Sequence, residues 1–473
     1  MRQDFGSREN RKKDSVMEEK MTMKAAFHNL GCKVNEYETE AMKQLLANAG
    51  YAIVPFNERA DVYVVNTCTV TQMADKKSRQ MLHKARQKNP EAVVVAAGCY
   101  VQEAKEQLLA DDTIDIAIGN NEKGRLPEIL KDYLIAPENS RDYVPEIDKE
   151  RVYEEMALDK PLDRTRAFVK IQDGCNQFCS YCLIPFARGR VRSRRQEDII
   201  REVSTLAQNG AKEVVLSGIH ISSYGIDFEN ENPIRTPKAA EEWTNEELLD
   251  LIFELEKIDG IERIRLGSLE PGIMTEKFVE GIAGCKKMCP HFHLSLQSGS
   301  NATLARMNRR YTAEEFAEAV RRLRKSFRDP AITTDIIAGF AGETNEEFEE
   351  TYDFVKNIHF AKTHIFKFSR RKRTRAYSMP DQVAENIKTE RSSRLIALDD
   401  ENKYAYALGF KDRDFEVLFE EKAERNGEML WRGHSRENLV VWLSSEDSLE
   451  NEIRVCRAKE ITPDGEILAG AVK

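Results

Sequence analysis

The chain has 473 residues, of which 41% are hydrophobic, and a formal net charge of −9. A length of this order predicts about three domains, each with enough apolar residues for its own core, and excludes a fibrous or disordered protein. The negative net charge also excludes a protein that coats nucleic acids regardless of sequence, because such proteins are basic over their whole surface.

Signals for secretion or membrane insertion are not expected from this sequence. Residues 1–20 are charged throughout and predict a flexible extension rather than a signal peptide. The later apolar runs are shorter than a membrane span. Nine cysteines in such a chain indicate a reducing, cytoplasmic environment, in which thiols bind metals rather than form disulfides.

The N-terminal part alternates strand and helix patterns. The predicted strands are residues 24–30, 62–65, 92–97 and 114–118, and the predicted helices are residues 36–48 and 74–87. This alternation is typical of an α/β domain with an open parallel sheet.

A cysteine follows each of the first three predicted strands: Cys32, Cys68 and Cys99. Ligands bind outside the carboxyl ends of strands in an open parallel sheet, so the three thiols are expected to converge and hold one metal cluster. The alternative is three ordinary buried cysteines, which are common in protein cores. Their positions in loops that contain glycine or asparagine favour the cluster.

Residues 137–163 have little periodicity and predict a linker. Beyond this segment, strand patterns alternate with helical patterns. The strands are centred near Phe168, Val214, Ile264, Phe292, Ile332 and Ile365. Six such units predict a partial parallel barrel, (β/α)6, with its active site at the carboxyl ends of the strands.

Directly after the first barrel strand, Cys175, Cys179 and Cys182 form a Cys-x3-Cys-x2-Cys array. Three thiolates are one fewer than a closed tetrahedral zinc site requires. The array therefore predicts a [4Fe–4S] cluster with one open iron, and with Tyr181 before the last cysteine it resembles the radical S-adenosylmethionine (SAM) superfamily. A zinc knuckle with a fourth ligand from elsewhere is the alternative.

Loops after the barrel strands carry small and polar residues suited to a nucleotide-like ligand. The residues expected to bind SAM are Tyr181, Ser217, Gly218, Glu270, Ser295 and Gln297. In contrast, Cys285, Cys289 and His293 are expected to be packed or hydrogen-bonded rather than to bind a metal.

From about residue 404 the pattern changes to short strands, broken by Asn426-Gly427 and Asp464-Gly465. The predicted strands are residues 415–419, 429–432, 439–443 and 453–458. They indicate a small antiparallel β-barrel, a fold that can grip nucleic acid by one face.

From residue 24 to the end, the chain resembles the radical SAM methylthiotransferases. The motifs that carry this resemblance are Asn66-Thr67-Cys68-Thr69-Val70, Gly98-Cys99 and the loop of residues 175–190. The stretch of residues 218–225, with Ile219-His220, is similar to the branch that modifies N6-threonylcarbamoyladenosine at position 37 of tRNA. The isopentenyladenosine branch typically has Gln-Asn in place of Ile219-His220.

The resemblance implies an α/β multidomain protein. Its expected parts are a flavodoxin-like methylthiotransferase domain at residues 21–136, the linker at 137–163, a radical SAM domain at 164–400 and an RNA-binding TRAM-like barrel at 401–473.

The resemblance also implies two [4Fe–4S] clusters and SAM as cofactors. The cluster of Cys175, Cys179 and Cys182 would cleave SAM, and the auxiliary cluster of Cys32, Cys68 and Cys99 would hold the sulfur for transfer to carbon 2 of adenine. The implied partners are the anticodon loop of tRNA, an electron donor such as flavodoxin or ferredoxin, and a sulfur donor. No membrane partner is expected.

Five arginines that follow the cysteine array are expected to bind anticodon-loop phosphates. They are Arg188, Arg190, Arg192, Arg194 and Arg195. A second basic run, residues 370–375, is interpreted as a solvated face.

Three alternatives remain for the target and the function. The substrate is isopentenyladenosine in tRNA, or an aspartate of a ribosomal protein, or the chain is a zinc-containing RNA-binding protein without catalysis. The chain also departs from the family pattern. The departures are Ala341 in place of proline, Lys367-Phe368-Ser369 in place of Pro-Tyr-Ser, Arg373 in place of glycine, and Asn438-Leu439 in place of Asn-Tyr.

Overall fold

The computed structural model describes residues 22–139, 141–159, 165–228 and 245–472. The expected extension, residues 1–20, lies outside these ranges. None of the helices within them has the length and apolar character needed to cross a membrane.

The N-terminal domain is built on a six-stranded parallel sheet with the order β2-β1-β3-β4-β5-β6. The strands are β1 (Lys24–Asn29), β2 (Ala52–Val54), β3 (Val62–Thr67), β4 (Val93–Gly98), β5 (Ile116–Ile118) and β6 (Asp142–Tyr143). The helices are α1 (Lys33–Asn48), α2 (Gln72–Lys88), α3 (Cys99–Glu103), α4 (Lys105–Leu109) and α5 (Leu126–Ile135). The order of the first five strands confirms the flavodoxin-like prediction.

Apolar residues cover both faces of this sheet. In β3, Val62 and Val64 pack on one side, whereas Tyr63 and Val65 pack on the other. A strand buried on both faces has a continuous apolar sequence. The sequence therefore predicts this strand although its residues do not alternate between apolar and polar.

The central domain is the predicted partial barrel. Its strands are β7 (Arg166–Asp173), β8 (Arg192–Ser193), β9 (Glu213–Gly218), β10 (Arg263–Leu266), β11 (Ser268–Leu269), β12 (His291–Leu294), β13 (Ala331–Ala338) and β14 (Lys362–Lys367). They form two sheets, β10-β9-β7-β8 and β11-β12-β13-β14, in which only β8 is antiparallel to its neighbour. A bridge between Ile264 and Met288 joins the part of the chain before β12 to β10.

The α-helices of this domain connect or follow these strands. They are α6 (Ile184–Ala187), α7 (Gln196–Gln208), α8 (Glu246–Glu256), α9 (Glu276–Ala283), α10 (Asn301–Arg306), α11 (Ala313–Ser326), α12 (Asn345–Ile358) and α13 (Glu385–Leu408). Short 3-10 helices occur at Lys123–Arg125, Pro137–Asn139, Ile147–Lys149, Ile221–Ser223, Pro271–Ile273 and Arg375–Tyr377. Thr312 and Thr344 begin α11 and α12 with capping boxes, which satisfy free N–H groups at each helix start.

The C-terminal domain is a closed five-stranded barrel, as predicted, with the order β15-β16-β17-β19-β18. Its strands are β15 (Asp414–Arg425), β16 (Glu428–Ser435), β17 (Val440–Leu443), β18 (Ile453–Ile461) and β19 (Ile467–Ala471). The strand β19, which the sequence analysis did not predict, closes the barrel by pairing parallel with β17 and antiparallel with β18.

The expected boundary between residues 400 and 401 is wrong, because it lies inside α13. Leu395 and Leu398 of this helix pack in the core of the central barrel, whereas Ala407 packs in the core of the C-terminal barrel. One helix therefore packs in two cores. Its apolar residues do not form one continuous face, so the sequence pattern does not indicate a single helix.

The stretch expected to be a linker, residues 137–163, contributes to both neighbouring domains. Asp142–Tyr143 forms the edge strand of the N-terminal sheet, and Met156 and Leu158 are buried in the core of the central barrel. The helix α1 of the N-terminal domain reaches the same core through Tyr37 and Ala41.

Buried arginines attach the C-terminal barrel to the first residues of the central strands. Arg263 donates hydrogen bonds to the backbone oxygen of His434 (3.0 Å) and to Glu416. Arg265 donates to the backbone oxygen of Arg436 (2.9 Å) and to Glu213 (2.7 Å). Burial alone would raise the pKa of Glu213, but Arg265 and the arginines around it lower this pKa to about 2.

We expect Glu213→Gln to lower the free energy of unfolding at pH 7 by about 3–5 kcal/mol, since it removes the charge partner of buried arginines. A carboxyl whose pKa is lowered by folding stabilises above its unfolded pKa of about 4.3. The difference from wild type should therefore shrink as the pH falls from that value towards 2. Urea unfolding measures this difference in the free energy of unfolding. It can be followed by the fluorescence of Trp431 and Trp442, both in the C-terminal barrel.

Glu416→Gln is the matched control, because the Glu416 side chain is 35% exposed and its pair with Arg263 is partly solvated. A difference between wild type and Glu213→Gln that stays constant between pH 7 and pH 3 would contradict this role for Glu213.

Candidate metal centre

One loop after β7 carries Cys175, Cys179 and Cys182. The loop is closed at its base, where the Cys175 N–H donates to the backbone oxygen of Gly189 (3.0 Å). Gly174 has φ = 69°, and a Cβ at this position would collide with the backbone oxygen of Arg190. A glycine is therefore required where the two ends of the loop meet.

Each sulfur of this loop receives a hydrogen bond. The backbone N–H groups of Gln177 and Ile184 donate to Cys175 (3.5 Å) and Cys182 (3.4 Å), and Arg309 donates to Cys179 (3.2 Å). Burial and then the neighbouring Cys179 raise the pKa of Cys182 to about 12, so the thiol ionises only if positive charge arrives. A metal centre supplies that charge, and N–H donors around the sulfurs are typical of iron–sulfur sites.

The structure also brings Cys32, Cys68 and Cys99 together at the carboxyl edge of the N-terminal sheet. Burial raises the pKa of Cys68 to about 12, and the neighbouring Cys99 and more weakly Cys32 add to this rise. Gly31 has φ = 109° and lies against Cys68, since a Cβ there would be 3.0 Å from the sulfur.

Two asparagines hold these cysteine loops. The Asn35 side chain, on α1, donates to the backbone oxygens of Leu30 (2.7 Å) and Thr67 (3.0 Å), which lie beside Cys32 and Cys68. The Asn120 side chain approaches the Cys99 sulfur at 3.5 Å and donates to the backbone oxygen of Ala187 (2.7 Å), in the loop of the other cysteine set.

The number of thiols in each set bears on the kind of metal centre that it fits. Each set offers three cysteines within one site. A closed structural zinc site needs four ligands, whereas a [4Fe–4S] cluster held by three thiolates keeps one iron open. The donor set of each triad therefore fits an iron–sulfur cluster.

A buried polar chain extends from the Cys179 sulfur. Arg309, which donates to this sulfur, also binds Glu270 at 2.6 Å, and His220 lies 3.5 Å from the same carboxylate oxygen. Burial alone would raise the pKa of Glu270, but Arg309 and His220 hold it below its ordinary value. Glu270 is among the residues that the sequence predicts to bind SAM, whereas Arg309 is not. The one feature of the sequence that could indicate Arg309 is its position after a barrel strand and a short helix.

The other residues expected to bind SAM lie at the same end of the barrel. The Tyr181 ring contacts Phe340 edge-on, with 6.3 Å between ring centroids. Ser217 and Gly218 end β9. The backbone oxygen of Ser295 accepts a hydrogen bond from Tyr311, and Gln297 has φ = 71°. Their contact with SAM stays a prediction.

Three of the five arginines expected to bind RNA are inaccessible. Arg188, Arg192 and Arg194 are buried, with at most 1% of each residue exposed. Arg194 pairs with Glu155 and Glu202, and Arg192 lies 3.8 Å from Asp173. The expectation for these three residues is wrong, because all three are buried. Carboxylates pair with the guanidinium groups of Arg188 and Arg194, and backbone oxygens accept from that of Arg192.

Arg190 and Arg195 remain candidates for RNA contact. Arg195 is exposed and Arg190 is half-buried. Their guanidinium groups lie over the rings of Phe178 (4.6 Å) and Phe228 (5.3 Å).

Glu38 of α1 is the centre of the junction between the two cysteine sets. Its buried carboxylate contacts Lys123, Lys170 (2.7 Å) and Arg188 (2.8 Å). Burial alone would raise the pKa of Glu38, but these three cations, Arg188 first, hold it well below its ordinary value.

Arg188 connects the cysteine loop of the barrel to the N-terminal triad. Besides Glu38 it binds Asp173 (3.0 Å) and the side-chain oxygen of Asn35 (2.6 Å). Cys32 is exposed as a residue, but the protein groups packed around its thiol raise its pKa, and Arg188 is the largest influence that lowers it. A guanidinium from one cysteine loop therefore provides positive charge beside the thiols of the other set.

The sequence contains two regions that match known family models. Residues 169–355 match the Radical SAM superfamily, and residues 24–119 match uncharacterized protein family UPF0004. The solved structure of the radical SAM methyltransferase TsrM from Kitasatospora setae has a similar fold, with a TM-score of 0.54 and 16% identity, over 76% of this chain and 77% of that one. Fold and matched regions together define a radical SAM protein.

Two relatives are both named threonylcarbamoyladenosine tRNA methylthiotransferase MtaB. The chain is 41% identical to that of Bacillus subtilis (strain 168), over 91% of this chain and 92% of the relative. It is 40% identical to that of Aquifex aeolicus (strain VF5), over 84% and 92%. A tRNA-2-methylthio-N(6)-dimethylallyladenosine synthase of Alkaliphilus oremlandii (strain OhILAs) is 34% identical over 93% and 91%.

The chain belongs to the radical SAM methylthiotransferase family. Membership confirms the predicted class of enzyme and its cofactors, [4Fe–4S] clusters and SAM.

We expect Arg188→Lys to reduce the iron bound by the N-terminal triad, because a single ammonium cannot hold Glu38, Asp173 and Asn35 in the geometry of the guanidinium. Total iron per chain should fall by roughly half if four irons are lost and four kept. Iron and sulfide analysis of anaerobically reconstituted protein measures this change. Arg190→Lys is the control, since Arg190 lies over a phenyl ring rather than between carboxylates. Equal iron in both variants would contradict the role of Arg188.

Proposed function

We propose that this protein adds a methylthio group to carbon 2 of N6-threonylcarbamoyladenosine at position 37 of tRNA. The observation that carries the proposal is the junction itself, where two cysteine triads from different domains are tied together by Arg188 and Asn120. The identity of 41% and 40% to two threonylcarbamoyladenosine tRNA methylthiotransferases supports the choice of substrate.

The chain supplies two sites and their orientation. We assign one [4Fe–4S] cluster to Cys175, Cys179 and Cys182 and the other to Cys32, Cys68 and Cys99. When bound, the clusters and SAM supply the radical and sulfur chemistry that an unactivated C–H bond requires. Beside the Cys179 sulfur, an ion pair is formed by Arg309 and Glu270. The loops of the auxiliary site are held by hydrogen bonds from Asn35 and Asn120.

Several partners follow from this chemistry. The reaction consumes electrons and sulfur, so we propose an electron donor of the flavodoxin or ferredoxin class and a separate sulfur donor. A tRNA substrate and thiol-bound clusters suit a reducing cytoplasm.

We infer that RNA binds along a crevice between the N-terminal domain and the central barrel. The crevice has a volume of about 650 Å³ and is lined by Arg79, Tyr100, Arg370, Lys372 and Tyr377 among others. Basic side chains mixed with aromatic rings are typical of surfaces that bind single-stranded nucleic acid. This use differs from the solvated face that the sequence suggested for residues 370–375.

The crevice lies next to the auxiliary triad. Arg371, at its edge, donates to Thr69 (2.8 Å), the residue after Cys68. Tyr100, in its wall, follows Cys99 directly and accepts a hydrogen bond from Arg79 (2.6 Å). Two nearby acids are already paired, Asp75 with Arg371 (2.6 Å) and Glu103 with Arg373 (3.0 Å). Arg370 and Lys372 are exposed and present positive charge to solvent.

The double variant Arg370→Glu and Lys372→Glu should weaken tRNA binding at least about tenfold at 0.1 M salt and reduce its salt dependence, since two phosphate contacts are lost. Filter binding at several salt concentrations measures both effects. Lys325→Glu with Lys356→Glu is the charge-matched control, because both lysines are exposed on the outer helices α11 and α12. Equal losses in the two double variants would contradict the proposed RNA surface.

Mass spectrometry of tRNA nucleosides tests the function. A strain without the gene should accumulate N6-threonylcarbamoyladenosine and lose its methylthio derivative. The wild-type gene should restore the product, and Cys68→Ala should not, although purified Cys68→Ala should still cleave SAM and Cys179→Ala should not. Loss of the methylthio form of isopentenyladenosine instead would refute the substrate, and product formation by Cys68→Ala would refute the auxiliary site.

A further inference from the structure

A second group of potential ligands lies within the central barrel, apart from both cysteine triads. His293, Asp335 and His364 each offer one ligand atom, and these atoms all lie within 4.8 Å of one another. His293 belongs to β12, Asp335 to β13 and His364 to β14. From the sequence, His293 is expected to be a packed histidine, and no pattern in the sequence connects it with Asp335 or His364.

The strands place the three side chains on one face. In the sheet, His293 is paired with Thr333, and Asp335 is paired with His364. The alternate residues Ile332 and Ile336 of β13 are buried in the core beneath the helices. Because successive residues of a strand point to opposite faces, Thr333 and Asp335 point into the barrel.

The hydrogen bonds leave the ligand atoms available. His293 Nδ1 lies 3.0 Å from Thr333 Oγ1, and its other nitrogen, Nε2, lies 3.4 Å from Asp335 Oδ2. The His364 ring lies beside that of His293, with 5.9 Å between centroids. A hydroxyl that accepts from Nδ1–H orients the ring and frees Nε2, which is the usual arrangement around a metal-binding histidine.

The chemistry of the set points to a divalent transition metal. Two imidazoles and one carboxylate bind zinc, iron(II) or manganese(II), whereas magnesium and calcium prefer oxygen ligands alone. Three protein ligands leave coordination positions open on the metal. The backbone N–H of Gln297 donates to the backbone oxygen of Asp335 (2.8 Å), so the group lies level with a loop expected to bind SAM.

We propose that His293, Asp335 and His364 bind one first-row divalent cation inside the barrel. The open positions of the metal would hold a polar or anionic group of a ligand that enters the barrel. This proposal does not depend on the identity of the tRNA base that the enzyme modifies.

Manganese(II) is the probe for the test, because the unbound ion gives an electron paramagnetic resonance signal that disappears on binding. Titration of the full chain, with its clusters in the oxidised, diamagnetic state, should show one bound Mn²⁺ per chain. Asp335→Asn and His364→Ala should each weaken this binding at least about tenfold, and Thr333→Val by about tenfold through the orientation of His293.

His83→Ala is the matched control, since His83 pairs with Asp111 at 2.9 Å on the surface, and no third potential ligand joins them among the residues that the structure describes. Iron content and melting temperature without manganese establish that each variant is folded, and Mn²⁺ should raise the melting temperature of wild type but not of Asp335→Asn. Absence of binding to wild type up to millimolar Mn²⁺ would overturn the proposal. Binding of equal strength in wild type, Asp335→Asn and His364→Ala would also overturn it.

Discussion

The buried carboxylate of Glu38 is the interaction on which the arrangement of both cysteine sets depends. A charge removed from water is tolerated only when partners replace its hydration, and here Lys123, Lys170 and Arg188 do so. These cations come from the N-terminal domain, the first barrel strand and the loop of the radical SAM cysteines. One buried side chain therefore joins three segments of the chain and holds the two cysteine sets in a fixed arrangement.

This network explains why a basic run was misinterpreted. Arg188, Arg192 and Arg194 lie beside a reactive loop, and their spacing gives no sign of burial. Their partners are distant in sequence: Glu38 comes 150 residues before Arg188, and Glu155 comes 39 residues before Arg194. A charge pattern can be recognised from neighbouring residues, but whether it faces solvent depends on contacts formed only in the folded chain.

Features that depend on the order of residues within one strand, helix or loop can be predicted from the sequence. The three cysteines of the N-terminal domain follow parallel strands, and such strands end at one edge of a sheet, so the sequence predicts that Cys32, Cys68 and Cys99 meet. In contrast, the expected domain boundary at residue 400 falls inside α13, because the apolar residues of this helix face two different cores. The strand β19 is not predicted, because it is short and lies after a turn. Arg309 and the group of His293, Asp335 and His364 cannot be recognised from the sequence for a related reason. Their partners lie on other strands and loops, which come together only in the folded barrel.

Arg373 illustrates a different consequence of the fold. It has φ = 68°, a conformation that favours glycine, and the family pattern has glycine at this position. Its side chain reaches Glu103 of α3 and lies over the Phe186 ring of α6 at 5.0 Å. Torsional strain of about 1 kcal/mol or more is thus held in place by contacts that span two domains. The backbone at Arg373 therefore keeps this conformation only while both domains supply those contacts, so the shape of the crevice wall depends on how the domains are joined.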